Sequence, residues 1–264
     1  MDATSMKISV FTKPWKSLST IELINLVKSL GFDGIEFPLR DGFQVDLTNM
    51  ADSLSSFAEA FTKNGLQVMS VAAALNEPVF AACSAAKVPV IRIMLEANLK
   101  KGYLRCESEW VEQLRAVKPF CERYGVRIGI QPHFGPGISN TMELRHLLEK
   151  CDSAYICAIW DAAHSALAGE EPEQALDIIW KYLYLVNMKA AYYEKDIDSC
   201  SGETRVTPVF TRGRDGASSW PRIINYLKAR DYERDICMSA EYSQESDVED
   251  YIRTDLKYLK ELLG

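Results

Sequence analysis

Two hydrophobic periods alternate along this chain from end to end. Stretches with apolar residues three and four apart give way, often at a glycine, to short β-branched runs, as in LVKSLGFDGIEF, FTKNGLQVMSV and CERYGVRIGIQ. A glycine just past the last helical turn takes the left-handed C-cap, and the apolar run that follows reads as a buried parallel strand. Eight such runs are predicted as strands: 7–11, 34–37, 67–73, 90–95, 126–131, 155–161, 184–189 and 235–241. Helical patterns separate them. Ser19 can cap a stretch whose Ile21, Ile24, Val27 and Leu30 share one face. The closing helix carries Val248, Ile252, Leu256, Leu259 and Leu263.

Eight βα units with no Pro/Gly/Ser linker predict a single (β/α)8 barrel over residues 1–264. A doubly wound sheet usually shows a G-x-G-x-x-G turn after its first strand, and none is present. The spacing stretches once, between strands seven and eight. Residues 190–218, AAYYEKDIDSCSGETRVTPVFTRGRDGAS, read as a long polar loop, either a functional lid or a flexible excursion.

Composition narrows the function classes. With 47% hydrophobic and 25% charged residues the chain can build an ordinary globular core. A formal charge of −7 argues against nucleic acid and anionic membrane surfaces as partners, because phosphate contacts need clustered Lys and Arg. No apolar run approaches the roughly 20 residues of a membrane span. The start, MDATSMKISVF, lacks a basic segment followed by a long apolar one, so no signal peptide is expected. Seven cysteines without C-x-x-C spacing are expected to be buried, reduced thiols, and the cytoplasm is the expected compartment. No P-loop or G-x-S-x-G elbow is legible, and no nucleotide cofactor is expected.

Active sites of such barrels lie at the C-terminal ends of the strands. Strand two carries Glu36. Strand four carries Arg92 and is followed by Glu96. Strand five ends in Gln131, with His133 two residues on. Strand six ends in Asp161, with His164 three residues on. Strand seven carries Asn187 and Lys189, and strand eight ends in Glu241. Strand side chains alternate with period two. Gly129, Gln131 and His133 therefore share a face, as do Cys157, Ile159 and Asp161, then Leu185, Asn187 and Lys189, then Cys237, Ser239 and Glu241. Four consecutive strands thus end in polar groups in phase with the barrel interior, as expected of inward groups converging at the mouth.

These segments resemble the sugar isomerase and epimerase family built on the xylose isomerase-like TIM barrel. The likeness rests on GFDGIEF, WDAAHSALAGEEP, YLVNMKA, AEYS and GRDGASSWPRIINYLKARDY, and it spans essentially the whole chain. It implies one divalent cation held by four positions: Gln131, Asp161, Asn187 and Glu241. Two depart from the family pattern, which has a glutamate at the first and a histidine at the third. Amide oxygens still ligate hard cations such as Mg²⁺ or Mn²⁺, but one carboxylate and the imidazole are lost. The multi-metal nucleases of the same barrel are not expected, since the chain has three histidines and His146 lies in a helical stretch.

The resemblance also implies chemistry. The family's enzymes move protons on carbon next to a carbonyl with two glutamates, and Gln131 cannot take or give that proton. Glu241 is then the expected base, with His164 as its catalytic partner. Lys189, His133 and Glu36 are expected to bind the substrate, a small polyhydroxy carbonyl compound. Arg214, in the 190–218 loop with Arg205 and Arg212, is a candidate clamp for a substrate phosphate or carboxylate. FGPGISN can present backbone N–H groups to an anion or form a turn before an Asn or Thr cap. Trp15, Trp160 and Tyr192 are candidates to stack on a sugar ring, although Trp160, opposite in parity to Asp161, is rather expected to pack beneath a helix. The expected function is a sugar isomerase or epimerase, or a dehydrating relative. The alternative is a degenerate member that binds a sugar-like ligand or a protein partner without turnover. A homo-oligomer is compatible with either.

Overall fold

The computed structural model describes residues 6–264. Residues 1–5, part of the stretch read for a leader, lie outside the described residues. The strands are β1 (Ile8–Phe11), β2 (Gly34–Pro38), β3 (Gln67–Ala72), β4 (Val90–Ile93), β5 (Arg127–Ile130), β6 (Ile156–Asp161), β7 (Leu183–Met188), β8 (Ala190–Ile197), β9 (Thr204–Thr211) and β10 (Ile236–Ser239). All eight predicted runs form strands, joined in a closed parallel barrel of order β1–β10–β7–β6–β5–β4–β3–β2. This is a (β/α)8 barrel.

The helices are α1 (Thr20–Leu30), α2 (Met50–Lys63), α3 (Glu77–Ala85), α4 (Tyr103–Tyr124), α5 (Thr141–Leu148), α6 (Ala162–Leu167), α7 (Pro172–Ile179), α8 (Trp220–Ala229) and α9 (Val248–Leu263). Ser19 caps α1 as expected and forms a reciprocal capping box with Glu22. The buried face of α1 is Leu23, Ile24, Val27 and Leu30, while Ile21 is exposed. Ile21 lies at the start of the helix, before the axis has carried that stripe under neighbouring residues. On α9 the predicted stripe is buried through Leu259, and Leu263 is half-buried at the frayed end. No helix among the described residues is long and apolar enough to cross a membrane.

The 190–218 segment is not an irregular loop. Strands β8 and β9 pair antiparallel from Ala190–Thr211 out to Ile197–Thr204. Asp198 closes the turn by accepting from the N–H groups of Cys200 and Ser201. Most of β8 and the outer half of β9 are exposed on both faces, so the hairpin lacks the one-sided alternation that marks a half-buried strand. Cys200 at this turn is exposed, against the expectation for most cysteines; Cys83, Cys106, Cys121, Cys157 and Cys237 are buried, and all seven are free.

Apolar packing forms three clusters, the smallest being Ala163, Leu167 and Ala191 beside Phe134 and Phe210. A large layer lies between strands and helices, and it includes Trp15 and Trp160. A smaller cluster, Phe11, Ala72, Val90, Cys157, Ile159, Leu185 and Cys237, fills the barrel interior. The interior set has the parity expected from the strand ends. Gly129 belongs to that face, and a Cβ there would lie 2.6 Å from Ile159 Cγ1 and 3.2 Å from Val90 Cγ2. Glycine at this point lets Ile159 fill the barrel. Gly129→Val should therefore cost about 1–3 kcal/mol by overpacking, read from urea unfolding midpoints. An unchanged midpoint would show that the interior has slack.

Candidate active site

A chain of polar contacts crosses the barrel interior. Glu36 of β2 is fully buried and accepts from Nε of Arg92 on β4. Arg92 Nη1 donates to Gln131 Oε1 at 2.5 Å, and Gln131 Nε2 donates to Asp161 Oδ2 at 2.7 Å. Asp161 Oδ1 accepts from the N–H groups of Ala163 (2.9 Å) and His164 (3.1 Å), which starts α6. The Cys237 thiol lies 3.6 Å from Glu36 Oε2. Each buried charge in this row thus has partners, without which burial would cost several kcal/mol.

A second cluster forms around Glu241, just past β10. Its carboxylate meets Lys13 Nζ at 2.5 Å and Lys189 Nζ at 3.2 Å, and accepts from Ser239 Oγ at 3.1 Å. Burial alone would raise its pKa, but the ammonium groups of Lys189 and Lys13 outweigh that and hold it well below the usual carboxylate range. Lys189 is buried, with its Nζ 3.9 Å from the Phe210 ring centroid. Phe210 comes from β9 and also packs edge-on against His164. The base of the hairpin therefore covers part of the mouth, and Ser243 past β10 pins it by bonds to both the N–H and the carbonyl of Phe210.

The two imidazoles lie 4.2 Å apart between centroids, tilted by 41°, and carry opposite tautomers. His133 Nδ1 is 2.9 Å from the Phe134 carbonyl, which can only accept, so Nδ1 holds the proton and Nε2 a lone pair. His164 Nδ1 accepts from the Phe134 N–H at 3.4 Å, so its Nε2 carries the proton. Burial depresses both pKa values, that of His164 to about 4, and the Lys189 charge adds to the effect. Both rings are neutral at pH 7. One is built to accept a proton and the other to donate a hydrogen bond.

The structure brings Gln131, His133, Asp161, His164, Asn187, Lys189 and Glu241 to one end of the barrel, as the strand parities predict. Glu36 is fully buried and held by Arg92, so it does not open directly to the mouth. Arg214 is not at the mouth either. It lies over Tyr258 and pairs with Glu261 on α9, on the outer ring. Arg205 and Arg212 pair with Asp198 and Asp215. FGPGISN is a turn followed by a cap: Asn140 accepts from the Glu143 N–H, and Gly137 bridges to Glu96 where a Cβ would strike the Leu95 carbonyl. Lys13 is not marked by strand parity, because β1 ends at Phe11 and Lys13 begins a short 3₁₀ helix. Phe210 sits on a strand whose pattern was not legible.

Three of the four positions implied as metal ligands are engaged with other side chains of this structure. Gln131 turns its oxygen to Arg92 and its NH₂ to Asp161. The amide cannot flip, because the guanidinium offers only donors. A donor, not a ligand, therefore faces Asp161. Glu241 already meets two ammonium groups. Of the four, Asn187 Oδ1 is buried without a hydrogen-bond partner. No group of three His, Cys, Asp or Glu side chains suited to a metal occurs among them either.

Beside this cluster, a cleft of about 700 Å³ opens over the ends of β2, β3 and β4; Arg40, Ala73, Arg92, Glu96 and Trp110 are among its lining residues.

Two measurements check this site. Glu36→Gln leaves the Arg92 charge buried and unpaired, and should cost about 3–5 kcal/mol in chemical unfolding; a loss under 1 kcal/mol would mean that water reaches Arg92. His164 titrates lower folded than unfolded, so the unfolded chain takes up the proton first as pH falls. Its stabilising contribution is complete above pH 6.5 and is lost between 6.5 and 4, by about 3 kcal/mol. His164→Asn should flatten that part of the stability profile, and an unchanged profile would place the acid sensitivity elsewhere.

Known proteins agree with this architecture. The sequence profile of the xylose isomerase-like TIM barrel matches residues 24–262. Inosose dehydratase of Bacillus thuringiensis (strain Al Hakam) is 32% identical over 80 residues, which is 29% of this chain and 26% of that protein. The match thus spans about a quarter of the relative's length. The apo crystal structure of 3-keto-D-glucoside 4-epimerase from E. coli superposes with a TM-score of 0.75 at 15% identity, covering 97% of this chain and 100% of that one. A xylose isomerase-like TIM barrel protein from Mycobacterium smegmatis, in complex with magnesium, gives 0.68 at 13% identity and covers 100% of both chains. At such identities the structural likeness speaks for the fold, and the profile for descent: the chain belongs to the xylose isomerase-like TIM barrel family.

Proposed function

We propose that this protein is a sugar-modifying enzyme that moves a proton on the carbon next to the carbonyl of a small polyhydroxy compound. The observation that carries this reading is the convergence of Glu241, Lys189, His133 and His164 at the barrel mouth, with the carboxylate ionised and the two imidazoles neutral in opposite tautomers. Proton transfer next to a carbonyl needs a base for the C–H and donors for the oxygens. His133 Nε2 and Glu241 are the two groups able to take the proton. Glu241 is a weak base while both lysines hold it. Lys13 is half exposed, so a substrate can displace it, and the loss of that charge raises the basicity of Glu241. Lys189 and His164 Nε2–H then bind substrate oxygens.

Gln131 bears on the type of reaction. Two-base epimerisation needs a second proton-carrying group on the opposite face of the substrate, and an amide does not serve. Isomerisation and dehydration need one base and one acid. The similarity to inosose dehydratase supports the same group of reactions. Deuterium incorporation from D₂O, followed by NMR over a panel of ketoses, aldoses and inososes, tests the reading. Exchange next to the carbonyl is expected, and Glu241→Gln or His133→Asn should slow it about 10²-fold or more. Compounds that raise the melting temperature without any exchange would favour a binding role over catalysis.

A further inference from the structure

The row Glu36–Arg92–Gln131–Asp161 has one cation at its centre, and that cation has an unused edge. Arg92 Nε is committed to Glu36 and Nη1 to Gln131, while Nη2 has no partner among the described residues. The guanidinium lies over the Phe11 ring at 4.7 Å and borders the cleft shared with Arg40 and Ala73. The Glu241 carboxylate is close enough to act on Arg92 through its charge. A guanidinium clamped on one edge and open on the other is arranged to receive an oxyanion. It also keeps its charge at any working pH and cannot dissociate from the site.

Gln131 fits this arrangement. Side by side, two carboxylates at 131 and 161 would repel unless a cation lay between them. An amide joins Asp161 without one, accepting from Arg92 and donating to the carboxylate. The exchange of glutamate for glutamine is thus matched to a fixed monocation.

We propose that Arg92 is the electrophile of this site, holding the substrate's carbonyl oxygen through Nη2 as that oxygen becomes negative, with no divalent cation taking part. This rests on the proton-transfer reading above. In the step, the base takes the proton from the carbon next to the carbonyl. The C–H electron pair becomes a C=C bond, and the carbonyl π pair moves onto the oxygen facing Arg92. In an isomerisation the hydroxyl proton of the deprotonated carbon passes to the first oxygen, that carbon becomes the new carbonyl, and the base returns its proton to the former carbonyl carbon; in a dehydration the proton leaves with the hydroxyl group of the next carbon as water.

Calorimetric titration with oxalate, a planar dianion with the oxygen spacing of an enediolate, tests the assignment on the intact chain in EDTA. Binding is expected, and Arg92→Lys should weaken it about tenfold or more, the loss of one charge-assisted hydrogen bond. Oxalate binding that requires added Mn²⁺ or Mg²⁺, no oxalate binding at all, or equal binding by a folded Arg92→Lys variant overturns it. Should that variant not fold, Mn²⁺ titration of the unaltered chain decides: saturable binding tighter than millimolar that Asp161→Ala abolishes overturns the proposal, and its absence supports it. Repeating the D₂O exchange with and without EDTA separates the two readings. Exchange that survives EDTA upholds both, exchange that needs a metal sinks only the role of Arg92, and no exchange under either condition sinks the proton-transfer reading on which it rests.

Discussion

The buried ion pair between Arg92 and Glu36 is the constraint on which the polar interior depends. Removing two charges from water costs several kcal/mol each, and attraction alone often fails to offset it. Here the remaining valences are occupied. Glu36 also faces the Cys237 thiol, and Arg92 passes its charge on to Gln131, which orients Asp161, which caps α6. The helix that carries His164 therefore starts where the far end of this row places it. Charge, strand register and helix position are one problem with one solution.

The proposed role of Arg92 differs in kind from that of a metal centre. A divalent cation needs converging lone pairs and a surplus of negative charge. The mouth instead pairs its negative groups with fixed cations of the chain: Asp161 through Gln131 to Arg92, and Glu241 with Lys13 and Lys189. A cation of the side-chain kind is directional and permanent. A metal is stronger but must be acquired. The neighbouring imidazoles follow from this field, since ammonium charge and burial both keep them neutral.

Much of the fold was legible because barrel strands follow simple rules. Left-handed glycines mark where α1, α2 and α4 end, and parity then states which residues of a strand point inward. The positions of Asp161, Lys189 and Glu241 at the mouth needed nothing more. The hairpin escaped because the interior pattern stops there: both of its faces are largely exposed, and no periodic apolar signal separates it from a loop. Arg214 misled for a related reason. A loop arginine carries no parity, so nothing in the chain indicates that it turns outward to Tyr258.

By itself, the sequence determined the barrel and the inward face of its last four strands, which are local matters of periodicity; the resemblance to the family added that two implied ligand positions hold amides. Only the tertiary structure decided what the amides do. The orientation of Gln131 is set by Arg92, 39 positions away in the chain, and the state of Glu241 by Lys13, 228 positions away. Electrostatic partners are chosen by distance in space, and closure of the barrel is what brings its first strand beside its last.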